Sequence, residues 1–445
     1  MKKLVKWALR AGGFLLLAFA LLVLAGKVFF DPNDFKHHAI EFVHENTGQQ
    51  LEINGAVGLQ WFPSLHLQVS GVRLITQLDS VGYPLFSAAG LDLKLDLWSL
   101  LRNRLEIDEL ALRQPVLNLS TDQDGQGNWE SLLSSLSAKK SPASDTRDQD
   151  SGVSLAVHRV EMRDASVHWM DNASGNRFDL EHLNISTGYL SPGRPALVEA
   201  RFGLSMVKPT MNLKLSLKGE MSTEEDFTEL DIDGLVIDMT AYGESIQESG
   251  AALKLTADLA LNFTEESFQV DDLSIIGADA RISGQLHGRG SGGVPELNGR
   301  MLIHQINLRS WLGMLGLAVD TADAGALTRV SAEIGLQQEN ELLLLHPVQI
   351  QVDDSRIQGR AQTRAGDNLQ INGRLAIDHI DLDRYLPKPG AGEETGSQLS
   401  VRVEALRNLQ LDAELTFDQL TLNGIDLNRV IMKVQSREGM LLLEN

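Results

Sequence analysis

Cysteine is absent from all 445 residues, which excludes a disulfide framework, thiolate chemistry and any lipid-modified cysteine. Aromatic residues make up only 5%. Leu, Val and Ile are abundant instead, and Gly numbers 39, a β-rich and turn-rich balance. No stretch matches HExxH, Walker A, GxSxG or a complete Rossmann fingerprint. Gly288, Gly290, Gly292 and Gly293 have no helix after them to complete a phosphate loop and read as part of a glycine-dense turn, Gly284 to Gly293. Asp122, Asp124, Gln126 and Gly127 imitate the opening of a calcium loop, but its twelfth position is Leu133 rather than Glu, so a hairpin tip is expected. His37-His38 sits on the polar side of a helix with no carboxylate or cysteine in ligand spacing. These gaps leave no residue for covalent chemistry, so the expectation is a non-enzyme with no catalytic residues, no metal and no cofactor.

Basic charge is scarce outside one end. Residues 1–30 hold Lys2, Lys3, Lys6, Arg10 and Lys27 and no acid, so residues 31–445 carry −26 where the whole chain carries −21. A body this acidic is repelled by nucleic-acid phosphates and by anionic bilayer surfaces. Contact with lipid would therefore run through acyl chains, while the acidic exterior keeps a greasy protein soluble.

What is present is a repeat. Leu230 to Ile237 reads apolar, x, apolar, two polar or turn residues, apolar, x, apolar: Leu230, Ile232, then Asp233-Gly234, then Leu235 and Ile237. Further copies begin at Leu67, Leu105, Leu155, Phe178, Phe268, Met301, Leu343, Leu375 and Leu415. In a strand, alternate side chains share a face, so positions i and i+2 point one way and i+5 and i+7 would point the other. One extra residue, a β-bulge or a bend at the polar pair, restores a common apolar face. Helical spacing fits poorly. Starts lie about 23 to 52 residues apart, most often near 40, the range of repeat arrays stacked on their neighbours. The expected fold is mainly β: an N-terminal transmembrane helix, then an elongated, curved, repeat-built antiparallel sheet forming a groove, with a few short helices.

Taken in order, Ala11 to Gly26 is an uncharged apolar run extending from Leu4 to Phe30 if Lys6, Arg10 and Lys27 snorkel. Such a run fits a membrane span, and the basic cluster before it predicts a cytoplasmic N-terminus with the rest translocated. A cleaved signal peptide competes, because Leu24-Ala25-Gly26 ends in small residues, although Val28, Phe29 and Phe30 follow at once. Asp34 is expected to cap a helix with Phe35, Ala39, Phe42 and Val43 on one stripe, ending near Asn46 with Gly48 left-handed, and to seal the end of the sheet. From Leu51 the period is two, through Leu65, Leu67, Val69 and Leu91, Leu93, Leu95, Leu97. Trp129 to Leu136 and Asn307 to Leu317 are helix candidates. Ser137 to Gly152 reads as a linker and Pro387 to Gly396 as a loop. The resulting domains are 1–30 basic tail and anchor, 31–136 N-terminal β-rich region, 137–152 linker and 153–445 groove. The final strand-like run, Met440 to Leu443, has no polar cap, so a continuation beyond Asn445 is expected.

Asp31-Pro32-Asn33-Asp34, Thr47-Gly48, Leu51-x-Ile53-x-Gly55, Pro63-x-Leu65-x-Leu67 and Val72-x-Leu74 resemble the N-terminal signature of the AsmA family. Asp124-Gly125-x-Gly127-Asn128-Trp129 with Leu132, and Leu382-Asp383-x-Tyr385-Leu386-Pro387, agree with it. The resemblance spans nearly the whole chain. It implies a cell inner membrane protein of Gram-negative bacteria with a periplasmic body, linked to outer-membrane biogenesis and grouped with repeating β-groove proteins of lipid transport.

Few helices are available to cover the apolar face, so an open trough for acyl chains is favoured over a closed sandwich. About twenty strands would extend it on the order of 90 Å. The wall residues expected are Leu213, Leu215, Leu217, Leu230, Ile232, Leu235, Ile237, Leu253, Leu255, Leu259 and Leu261, which alternate with charged or small partners. The partners implied are phospholipid or another acyl-chain lipid, the inner membrane through the N-terminal helix, and no nucleic acid. The rival is a scaffold for outer-membrane assembly proteins acting through exposed sheet edges. His158, His304, His346 and His379 each fall in a polar pair. Either they form a pH-sensitive seam or a bend simply tolerates any polar residue.

Overall fold

The computed structural model describes residues 32–60, 64–76, 83–96, 99, 105–123, 125–132, 155–207, 210–224, 228–243, 246, 250–290, 296–314, 319–339, 342–364, 369–387, 409–437 and 440–444. The chain divides into two compact units, Met1–Lys208 and Pro209–Asn445.

The first unit holds α1 (Pro32–Thr47), β1 (Gln50–Ile53), β2 (Val57–Gln60), β3 (Leu65–Ile75), β4 (Phe86–Leu95), β5 (Leu105–Thr121), β6 (Leu155–Val157), β7 (Val160–Asp171), β8 (Arg177–Thr187) and β9 (Ala196–Met206). β1 and β2 both pair with β3, and the sheet continues through β4, β5, then β6 and β7 end to end, β8 and β9. The second unit holds β10 (Met211–Thr223), β11 (Glu229–Gly243), β12 (Ala251–Asn262), β13 (Ser267–Gly277), β14 (Ala280–Arg289), β15 (Glu296–Ile306), α2 (Leu308–Met314), β16 (Val330–Glu339), β17 (Leu342–Val352), β18 (Ser355–Arg364), β19 (Leu369–Asp381), β20 (Leu409–Leu422), β21 (Ile425–Arg437) and β22 (Met440–Glu444). Each of its strands pairs with the next in sequence. At about 4.8 Å per strand this unit alone spans on the order of 60 Å.

The fold is therefore mainly β with few helices, but the sheet is mixed rather than wholly antiparallel. β5 runs parallel to β6 and β7, and β19 runs parallel to β20. Parallel neighbours need a long crossover. The chain supplies two, residues 122–154 and 382–408, which contain the expected linker and the Pro/Gly loop. Both of those segments lie outside the described residues, apart from Pro387.

The bend at the polar pair is real. Pairing slips by one residue between Ile232 and Leu235, Val270 and Leu273, Ile303 and Ile306, and Leu345 and Val348. Gly234, Asp272, His182 and Gly71, all pair residues, have left-handed φ of 57°, 49°, 54° and 64°. Where two copies pair in parallel, both carry the extra residue and the register does not slip: Ile377 faces Phe417 and Ile380 faces Leu420. In each case apolar side chains before and after the bend stay on one face.

Glycines in this sheet are misread from sequence alone. Gly284 and Gly288 lie inside strand β14 rather than in a turn, which corrects the expected bounds of the glycine-dense turn. They sit on the apolar face, where a Cβ would lie 2.6 Å from Met301 Sδ and 2.2 Å from the Phe268 ring. Large neighbours fold over them. Glycine in a strand interior marks such close approach as readily as a turn.

The helices follow their sequence signals with local changes. α1 begins at Pro32, so proline rather than the residue after an Asp34 cap takes the first turn. It ends as expected, with Gly48 at φ +70° donating its N–H to the His44 carbonyl at 2.8 Å. Lys36 Nζ donates to the Gly55 carbonyl at 2.6 Å, tying the helix to the sheet, but Phe42 is 66% exposed and leaves the expected stripe. Residues 130–132 are helical, and the rest of that candidate lies outside the described residues. The preceding Gly127-Asn128-Trp129 is structural. Buried Asn128 accepts from Ser120 N and donates to the Asn118 carbonyl, closing the hairpin tip that Asp122 stabilises by accepting from Gln126 N.

Candidate functional site

In the second unit the register matches apolar residues across strand after strand. One row runs Leu217, Ile237, Leu255, Ile275, Ile282, Ile303, Ala332, Ile350, Ile357, Ile377, Phe417 and Val430, each opposite the next on the neighbouring strand. A second runs Met221, Ile232, Leu259, Val270, Leu286, Gly299, Leu336, Leu345, Ala361, Gly373, Ala413 and Val434. No polar side chain interrupts either row between β10 and β21. In the first unit a shorter row of the same kind links Leu74, Phe86, Leu117, Val167, Leu180 and Leu204.

The opposite face is polar, as pleating requires. Ser216 faces Asp238, which faces Lys254, and Lys214 Nζ stands 5.1 Å from the Tyr242 ring centre. The sheet is amphipathic from one side to the other.

Little covers the apolar face. Among the described residues, Leu85 and Leu420 alone are large side chains that are fully buried. In the second unit α2 packs Leu308 and Trp311 on Ala280, Ile306 and Val330, and Trp311 Nε1 donates to the Ala278 carbonyl at 2.8 Å. A second patch gathers Ile377, Phe417 and Leu420 under Leu382. Both lie from β14 onward.

All eleven residues expected as trough wall share one face of β10, β11 and β12. Leu213, Leu215 and Leu217 face Ala241, Met239 and Ile237. Leu230, Ile232, Ile237 and Met239 face Leu261, Leu259, Leu255 and Leu253, with Leu235 opposite Ala257. Ten of the eleven are half-buried, and only Leu235, at 8% exposure, is buried. Neither covered patch includes any of them. The structure thus brings the set together on one face, outside both covered patches.

The four histidines do not form a seam. His158 pairs with Asp108 at 3.5 Å and His379 with Asp378 at 3.1 Å, while His304 meets Ser283 Oγ at 2.8 Å. His158 lies between β6 and β7, and His304, His346 and His379 stand on β15, β17 and β19. The bend that did gather a cluster lies elsewhere: Gln114, Asp164 and His182, all at left-handed φ, meet across β5, β7 and β8. The hydrogen bond between His182 and Asp164 holds the imidazole above its ordinary pKa and the carboxyl below its own.

In the second unit the segments beside β16, β17 and β19 are tied together by a polar clamp that sequence reasoning missed. Asp353, 6% exposed, accepts from Leu327 N at 2.8 Å, Arg329 N at 3.2 Å and Tyr385 Oη at 2.9 Å. Arg384 bridges Asp323 at 2.8 Å and Asp354 at 3.1 Å. Burial and the Asp353 carboxylate push the Tyr385 phenol up to about 12. The Leu382 to Pro387 motif therefore locks the β15–β16 connection, which carries α2, onto the β17–β18 turn. Asp383 extends the clamp by accepting from Asn423 N and Gly424 N.

Among the described residues no helix is long and apolar enough to cross a membrane, and the run Ala11 to Gly26 lies outside them. No group of three His, Asp or Glu side chains there is placed to hold a metal.

An open mixed sheet with a continuous, sparsely covered apolar face defines a β-groove type of protein. Residues 1–445, the whole chain, match the AsmA family, and the protein belongs to that family. No match is found among curated proteins or among solved structures.

Proposed function

We propose that this protein is a carrier that binds phospholipid or another acyl-chain lipid along its apolar β-face and helps move it between the envelope membranes. In this reading residues 1–30 anchor the chain in the cell inner membrane, and the body lies in the periplasm and supports outer-membrane homeostasis. The supporting observation is the unbroken apolar register from β10 to β21, only partly buried over β10 to β12. A solvated face of that extent is unfavourable unless something apolar lies on it. An acyl chain recovers about 0.8 kcal/mol per buried CH2, which lowers the barrier to leaving a bilayer. No covalent step is involved, so the protein is not an enzyme. Family membership and the acidic body, which disfavours binding to anionic headgroup surfaces by charge alone, both support this reading.

Native mass spectrometry of the full chain purified from membranes tests it. Co-purifying phospholipid is expected. A lipid-free protein that instead crosslinks to outer-membrane barrel proteins through its strand edges would replace the carrier with a scaffold.

A further inference from the structure

The polar face of the second unit carries a basic site that lipid carriage on the other face leaves unused. Arg360 on β18 and Arg374 on β19 stand directly opposite each other in register. Like charges in that position repel, and the whole chain carries −21, so acidic partners are plentiful. Other arginines of this unit find them: Arg300 pairs with Glu333, Arg289 with Glu265 and Arg329 with Asp354. Arg360 and Arg374 do not. Glu414 is opposite Arg374 on β20, yet among the described residues neither guanidinium forms an ion pair or a side-chain hydrogen bond.

The two arginines line a hollow of about 540 Å³ with His346, Gln349, Gln358, Thr416 and one carboxylate, Glu414, over an apolar floor that includes Pro347 and Leu375. The side chains of His346, Gln349 and Gln358 are exposed and, among the described residues, uncommitted to any hydrogen bond. Donors thus converge on a space within the range of small-ligand sites, roughly 300–1,000 Å³. We infer that Arg360 and Arg374 form an oxyanion site for a phosphate group. Two planar guanidinium forks on strands about 4.8 Å apart match the several oxygens and double charge of a phosphate monoester, whereas a lone carboxylate would satisfy one fork. The flanking amides supply neutral donors. Bound phosphate would also relieve the repulsion between the two arginines.

Calorimetric titration and thermal shift of the full chain with inorganic phosphate, against chloride at equal ionic strength, test this. Phosphate is expected to bind and to raise the melting temperature of the wild type. Arg360→Gln with Arg374→Gln is expected to weaken phosphate binding about tenfold or more and to melt no lower than the wild type in phosphate-free buffer. Arg360→Lys, which keeps charge but loses the fork, is expected to fall between them and covers the case in which the double variant does not fold. Glycerol 3-phosphate and vesicles of phosphatidic acid in phosphatidylcholine separate the two sources: tighter binding of the soluble ester assigns a free metabolite, and tighter binding of the vesicles assigns a lipid headgroup. Phosphate binding no stronger than chloride, or equally lost in Arg281→Gln, which lies away from the hollow, would overturn the site.

Discussion

Replacing Leu217 and Leu259 together by glutamate is expected to reduce the lipid retained per protein by about tenfold or more, without unfolding the chain. The two residues lie in adjacent apolar rows on β10 and β12, half-buried and clear of both covered patches. A carboxylate there must either lose its water beneath an acyl chain, at a cost of roughly 2 kcal/mol or more, or keep the chain away, and about 1.4 kcal/mol is already tenfold. Because both leucines already touch solvent, the loss to folding is limited to about 1–2 kcal/mol each. Thr240→Glu with Thr256→Glu, on the polar face of β11 and β12, is the matched control and is expected to leave lipid unchanged. Lipid content and far-ultraviolet circular dichroism together decide the outcome. Collapse of the fold would place Leu217 and Leu259 in a closed core, and unchanged lipid would remove the trough.

The second large effect is expected at Asp353. Its carboxylate, on a residue only 6% exposed, satisfies two backbone N–H groups and the Tyr385 hydroxyl. Asp353→Ala takes the carboxylate acceptor from three part-buried donors, a loss of about 2–3 kcal/mol. Asp353→Asn keeps one acceptor oxygen and is expected to lose less. Urea unfolding gives the total, and hydrogen exchange at the Leu327 and Arg329 amides shows whether the β15–β16 connection opens first. An unchanged midpoint would mean that water or another acceptor replaces the Asp353 carboxylate.

The repeat was legible because a bulge obeys a rule that sequence records. Leu230, Ile232, Leu235 and Ile237 share a face only if Asp233-Gly234 adds one residue, and the left-handed Gly234 does so. Which strand each copy pairs with was not legible. Register depends on partners far along the chain, so the parallel pairings of β5 and β19 could not be separated from antiparallel ones by periodicity. Gly284 and Gly288 carry no side-chain signal, and a strand glycine under Phe268 looks the same in sequence as one in a turn. The clamp was missed for a related reason. Asp353, Asp323 and Arg384 are unremarkable surface types until folding brings them together. Arg360 and Arg374 likewise become neighbours only through the pairing of β18 with β19.

Site-specific photo-crosslinking in cells tests the central claim most directly. A photoreactive residue placed in turn at Ile232, Ile237, Leu255 and Leu259 samples the apolar face of β11 and β12, and one at Val236, Asp238, Lys254 and Ala260 samples the other face of the same strands. Lipid adducts are expected at the first four positions and not at the second four. Adducts spread equally over both faces, or absent from both while the chain remains folded, would contradict a lipid-bearing trough.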